Sequence, residues 1–165
     1  MLSHRLPYVL LGALLTFAGE PSATFAPRVD PTDACTLLTL QQVSAALEVT
    51  SQGGKHILPT IKTSCIWSDD TAASIDHRRV TLSILHPRGF DMPRSMGGMK
   101  TAPAPGVGDD AYYLLYGSDS PQLMVRKGNV QFSVRILNGF KFKPFTLDQE
   151  KTKEMALAQA AIKAL

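Results

Sequence analysis

The chain has 165 residues and a net charge of +3, from 17 Lys and Arg against 14 Asp and Glu. Its basic residues are dispersed among segments of different type, with no dense basic helix and no aromatic RNA-binding motif, which argues against nucleic acid as a partner. Beyond the first 26 residues no stretch is long and apolar enough to form a transmembrane helix.

Residues 1–26 read as a signal peptide and leader. Arg5 with His4 forms a short basic start, and Leu6 to Ala18 supplies an apolar run of signal-peptide length, too short to span a bilayer. Thr16 and Ala18 fit a small-x-small cleavage site; Thr24 and Ala26 fit a second, which Pro27 disfavours. The expected location is therefore the periplasm or the extracellular space, with no integral membrane span after cleavage. A single α+β domain is expected over 27–165, a size that supports a core of its own.

Thr39-Leu40-Gln41-Gln42 is a capping box, with Leu38 and Val43 placed as a hydrophobic staple, so a short helix starts there. Leu40, Val43 and Leu47 give it an apolar face, and Gly53-Gly54 is expected to close the segment. Ile61 to Trp67 and Arg79 to His86 alternate as half-buried strands. Residues 87–110, rich in Pro, Gly and Met, break the pattern before a strand over Ala111 to Tyr116. Gln122 to Lys127 and Val130 to Leu137 flank Gly128-Asn129, a hairpin turn that sets Val125 against Phe132 and Leu123 against Val134. Thr146-Leu147-Asp148-Gln149 opens a final helix with Met155, Ala158, Ile162 and Leu165 as its apolar stripe. The fold class is α+β, a mainly antiparallel sheet packed against an N-terminal and a C-terminal helix.

Cys35 precedes the first helix and Cys65 lies on a strand. A disulfide between them would tie the chain entry to the sheet, with Trp67 placed to cover it. The competing reading is a redox-active or metal-binding pair, but there is no C-x-x-C motif and no histidine at a zinc-like sequence spacing.

Asp33-Ala34-Cys35-Thr36-Leu37-Leu38-Thr39, Cys65-Ile66-Trp67, Pro105 to Tyr112, Val125-Arg126-Lys127-Gly128 and an Ala-rich terminal helix occur in that order. The pattern resembles an uncharacterised bacterial cell-envelope lipoprotein family best known from actinobacteria, and is similar to extracytoplasmic sensor domains of receptor kinases. The resemblance implies a Mog1/PsbP-like α/β/α sandwich. It carries over no catalytic residue, and the absence of a lipobox cysteine departs from the family.

Gly106-Val107-Gly108-Asp109-Asp110 lacks the third glycine and following helix of a dinucleotide fingerprint, so a turn feeding a strand is expected. His56, His77 and His86 belong to no catalytic motif, and no cofactor is implied. Met92, Met96 and Met99 lie at i, i+4, i+7; a helix there would gather three thioethers near His86, a set suited to Cu(I), or else adaptable core filler. A third reading joins Phe90 and these methionines to Phe140 and Phe142 as a surface for a small apolar ligand or an envelope protein. Alternation of Phe140, Phe142 and Phe145 with Lys141 and Lys143 equally describes an edge strand. The expectation is a non-enzymatic binding or sensor-type domain, with soft-metal handling as the alternative and a hydrolase triad assembled in space as the distant one.

Overall fold

The computed structural model describes residues 31–70, 75–117 and 120–165; the signal and leader expected over 1–26 lie outside them. A 3-10 turn, Ala34–Thr36, leads to α1 (Leu40–Leu47), then β1 (Lys55–Leu58), β2 (Ile61–Ser68) and β3 (Arg79–Leu85). Next come α2 (Pro87–Ser95), β4 (Lys100–Pro103), β5 (Asp110–Tyr116), β6 (Ser120–Lys127), β7 (Val130–Leu137) and α3 (Leu147–Ala164). The seven strands form one antiparallel sheet in the order β1-β2-β3-β7-β6-β5-β4. Over the described residues the fold is α+β, with an antiparallel sheet and three α-helices.

Side-chain alternation divides the sheet into two faces. Trp67, Val80, Leu82, Leu123, Val125, Phe132, Val134 and Ile136 point into the main core, which α1 and α3 cover with Val43, Leu47, Leu157, Ala158 and Ala161. Adjacent residues of β5 show the division directly. Tyr113 donates its hydroxyl to the Lys151 carbonyl of α3, whereas Tyr112 donates to the Phe90 carbonyl of α2. A second apolar cluster of Phe90, Tyr112, Leu114 and Met124 therefore lies on the opposite face, under α2.

Both capping boxes form. Thr39 and Gln42 close theirs with bonds of 3.3 and 2.8 Å, Thr146 and Gln149 with 3.3 and 2.9 Å. The β6–β7 hairpin has the expected register, with Gly128 at φ 58°. Gly108 (φ 62°) ends the turn before β5; a Cβ there would come within 2.5 Å of the Arg126 carbonyl oxygen, so only glycine fits.

Several expectations are corrected. The segment after β3 contains α2 and β4, and β1 precedes the first expected strand. Gly53-Gly54 does not end α1; Glu48 does, in the left-handed region at φ 57°. Leu40 is exposed, because the buried side of α1 is Val43, Ala46 and Leu47. The buried face of α3 is Glu150, Glu154, Leu157, Ala158 and Ala161, rotated from the expected stripe so that Met155, Ile162 and Leu165 sit at its margin.

Candidate functional site

β2 and β7 begin, and β3 ends, beside Pro31, and an open groove of about 660 Å³ forms there. Its lining includes Thr63, Ile84, Val130, His86 and Pro87. Ile84 and Val130 end the core-facing rows of β3 and β7, so the apolar pattern of the sheet continues into the groove. The polar members of the lining are Thr63, Asn129, Gln131 and His86. His86 is also the N-cap of α2, its Nδ1 accepting from the Arg88 amide at 3.4 Å, which fixes the ring at the groove's mouth. A pocket of this size, lined by apolar side chains with a few polar ones among them, has the character of a small-molecule or peptide site.

The methionine segment adjoins this mouth through α2. Met92 lies within the helix, but the helix ends at Ser95 and Met96 is extended (φ −81°, ψ 118°), so the continuous helix required to align Met92, Met96 and Met99 is absent. The helix runs through Pro93, which gives no amide to the preceding turn, and stops two residues later. The three methionines are 54, 47 and 42% exposed, which also removes them from the role of core filler.

Phe90 is fully buried, edge-on to Tyr112 with ring centroids 5.3 Å apart, and is core rather than surface. Phe140 is 82% exposed. Phe142 is partly buried and, with Phe145, stacks on the Arg78 guanidinium at 4.9 and 4.0 Å; the segment is not an edge strand. Arg78 donates to the Leu47 carbonyl of α1 and to the Lys143 carbonyl. Phe142 thus belongs to the α1 and α3 side of the sheet, opposite α2, and the two do not wall one groove.

Asp109 and Asp110 are committed to pairing within the fold. Asp109 accepts from the Gly128 amide at 2.7 Å and Lys127 Nζ at 2.6 Å; these bonds lower its pKa. Asp110 takes a two-pronged contact from Arg94, at 2.7 and 2.9 Å, and a third bond from Arg126 at 2.8 Å; the Arg94 bond leads in lowering its pKa. Arg94 lies 3.9 Å over the Tyr112 ring and Arg126 4.9 Å over Phe90. This ionic and aromatic layer clamps α2 to β5 and β6.

Cys35 and Cys65 form a disulfide between the entry turn and β2, with Cα atoms 5.1 Å apart. Trp67 packs beside it. A Cβ on Gly54 would meet Trp67 Nε1 at 2.6 Å and Cys65 Sγ at 2.8 Å, so the expected helix-closing glycine serves instead to admit this packing. His56 lies opposite Cys65 in the β1–β2 pair and its Nε2 is 2.9 Å from Asp33 Oδ1. His77 Nδ1 is 3.1 Å from Asp69, and its Nε2 is 3.2 Å from Lys141 Nζ.

A feature without a sequence signal is Glu154, fully buried between α3 and the sheet. The β6–β7 ladder ends at Leu123 and Val134, two residues short of Ile136 on β7. Glu154 fills the gap, Oε1 accepting the Ile136 amide at 2.9 Å. Among the described residues its Oε2 is buried without a hydrogen-bond partner. Burial raises its pKa well above the usual carboxylate range, against the opposing pull of the Ile136 amide. Neighbouring Tyr113 is pushed up to about 12, by burial first and by Glu154 second.

Comparison with protein-family models, with curated proteins and with solved structures finds no match. Among the described residues no helix is long and apolar enough to cross a membrane.

Proposed function

We propose that this chain is an exported, non-enzymatic binding or sensor-type envelope domain that takes a small apolar ligand or an apolar segment of an envelope protein. The observation that carries the reading is the groove at the shared end of β2, β3 and β7, where Ile84 and Val130 bring the apolar rows of the sheet into its lining. Its size lies within the range of small-molecule sites, and its few polar groups supply orientation rather than chemistry. The exposed Met92, Met96 and Met99 extend the accessible apolar area from the other end of α2; unbranched thioether side chains suit a surface that adapts to its partner. The site thus moves from the Met and Phe residues alone to the groove, with the methionines as its flank. The disulfide supports an oxidising compartment. An antiparallel sheet with helices on both faces is what the Mog1/PsbP-like sandwich of the resembled family requires.

Native mass spectrometry of the chain purified from its own envelope, beside an environment-sensitive apolar dye titrated into the stripped protein, tests this reading. Dye binding that Thr63→Trp blocks and Met92→Ser leaves in place is the expected outcome. A protein that carries no bound molecule and binds dye equally with and without the Thr63 substitution sinks it.

A further inference from the structure

The corner where the chain enters the sheet gathers donor atoms that lie apart in the sequence. Asp33, Cys35 and His56 place one ligating atom each, a carboxylate oxygen, a sulfur and an imidazole nitrogen, within 4.8 Å of one another. Cys65 Sγ is bonded to Cys35 Sγ and adds a fourth. Asp33 Oδ1 accepts the Cys35 amide at 2.9 Å and lies 2.9 Å from His56 Nε2. His56 and Cys65 are direct cross-strand partners on β1 and β2. The positions are therefore set by a capped turn on one side and a strand ladder on the other.

We propose that reduction of the Cys35–Cys65 disulfide converts this corner into a zinc site, with Cys35 Sγ, Cys65 Sγ, His56 Nε2 and Asp33 Oδ1 as ligands. Two thiolates, an imidazole and a carboxylate are a donor set that Zn²⁺ favours, and a tetrahedral ion needs its ligand atoms about 3.3–3.8 Å apart. The imidazole and carboxylate are near that spacing already. The sulfurs must separate, which rotation about their side chains supplies from Cα atoms 5.1 Å apart. While the disulfide is closed no thiolate is free, so the site is gated by redox state.

The opening step is thiol–disulfide exchange with a dithiol reductant. Its first thiolate attacks Cys35 Sγ, the less buried sulfur, and the S–S electron pair leaves with Cys65 Sγ. The second reductant thiol then resolves the mixed disulfide. Two electrons and two protons pass to the cysteines, and the reductant ends as a disulfide. Zinc binding releases both thiol protons, and His56 ligates as its Nδ1–H tautomer. This site is separate from the methionine segment and from the apolar groove, and does not rest on the function proposed above.

The test is titration of the full chain with Zn²⁺ against a chromophoric chelator, and with Co²⁺ read by absorption, in oxidised and dithiothreitol-reduced forms after removal of the reductant. The reduced form is expected to take one ion, with thiolate-to-cobalt charge transfer and the intense visible bands of a tetrahedral site; the oxidised form takes none. His56→Ala is expected to weaken binding by more than about a hundredfold, beyond the range typical of residues that only support a ligand, and His77→Ala to leave it unchanged. Asp33→Asn tests the oxygen ligand and is expected to shift the cobalt bands. The proposal is overturned if the reduced chain binds no metal, if the oxidised chain binds equally, or if His56→Ala retains both affinity and spectrum. Far-UV circular dichroism covers the remaining case: a reduced chain that unfolds and is not restored by Zn²⁺ also overturns it.

Discussion

Glu154 is the residue at which local sequence and tertiary context disagree most. It stands among Lys, Gln and Ala on an amphipathic helix, where a glutamate normally faces water, yet here it is fully buried. Its folded pKa is raised above the ordinary 4.5, so between that value and the folded value the native state holds a proton that the unfolded chain has released. Stability from this group is therefore complete at low pH and is lost as pH rises through that window. Glu154→Gln keeps an acceptor for the Ile136 amide and removes the titration. It is expected to raise the thermal midpoint at pH 7 and flatten its fall above pH 4.5; parallel pH profiles for the two proteins would refute this. Glu154→Leu strands the amide instead and is expected to cost about 1–3 kcal/mol in urea unfolding at low pH, where the native group is neutral. Asp109 and Asp110 act in the opposite window. Their lowered pKa values contribute stability above the ordinary 3.8 that is lost as pH falls through the folded values.

Elements were readable wherever their signals are local. The two capping boxes and the Gly128 turn each need only neighbouring residues, and the structure has all three. Thr146→Ala is expected to cost about 1 kcal/mol, measured by chemical denaturation, with faster amide exchange in the first turn of α3; Thr146→Ser should recover most of it. β1 and β4 were not readable, because four-residue edge strands without strict alternation leave too little pattern. α2 was hidden by its Pro and Gly content, which marks a loop by composition; Arg94 and Arg126 on Asp110, stacked on Tyr112 and Phe90, hold it to the sheet. Arg94→Met is expected to loosen that layer, seen as increased proteolysis between β3 and β5 with little change in the exchange of β3 and β7. Equal protection of α2 in both proteins would show that the ionic layer is not what holds it.

At the scale of the whole molecule, the disulfide joins the chain entry to the second strand of a seven-stranded sheet across a sequence separation of 30 residues. A Cys35→Ser/Cys65→Ser chain is expected to lose about 3–4 kcal/mol in denaturant unfolding, the chain-entropy value for such a loop, with its circular dichroism spectrum retained at low denaturant. A loss below about 1 kcal/mol would mean that the capped turn and the β1–β2 ladder already fix this corner. The candidate groove was not legible at all, since Pro31, Thr63, Ile84 and Val130 become neighbours only when three strands end at one level. The same is true of His56, which no sequence spacing relates to Cys65 but which the ladder sets opposite it. What the amino-acid order determined by itself is whatever depends on a few adjacent residues: the caps, the hairpin register, the alternation of the long strands, and a cysteine pair free of any local metal motif. What only the tertiary structure decided is which faces meet. Side-chain period assigns a residue to a face, but the partner of that face is chosen by packing across long loops, and that choice made a core of Phe90, an exposed flank of the methionines, a buried acid of Glu154 and a groove at the sheet's end.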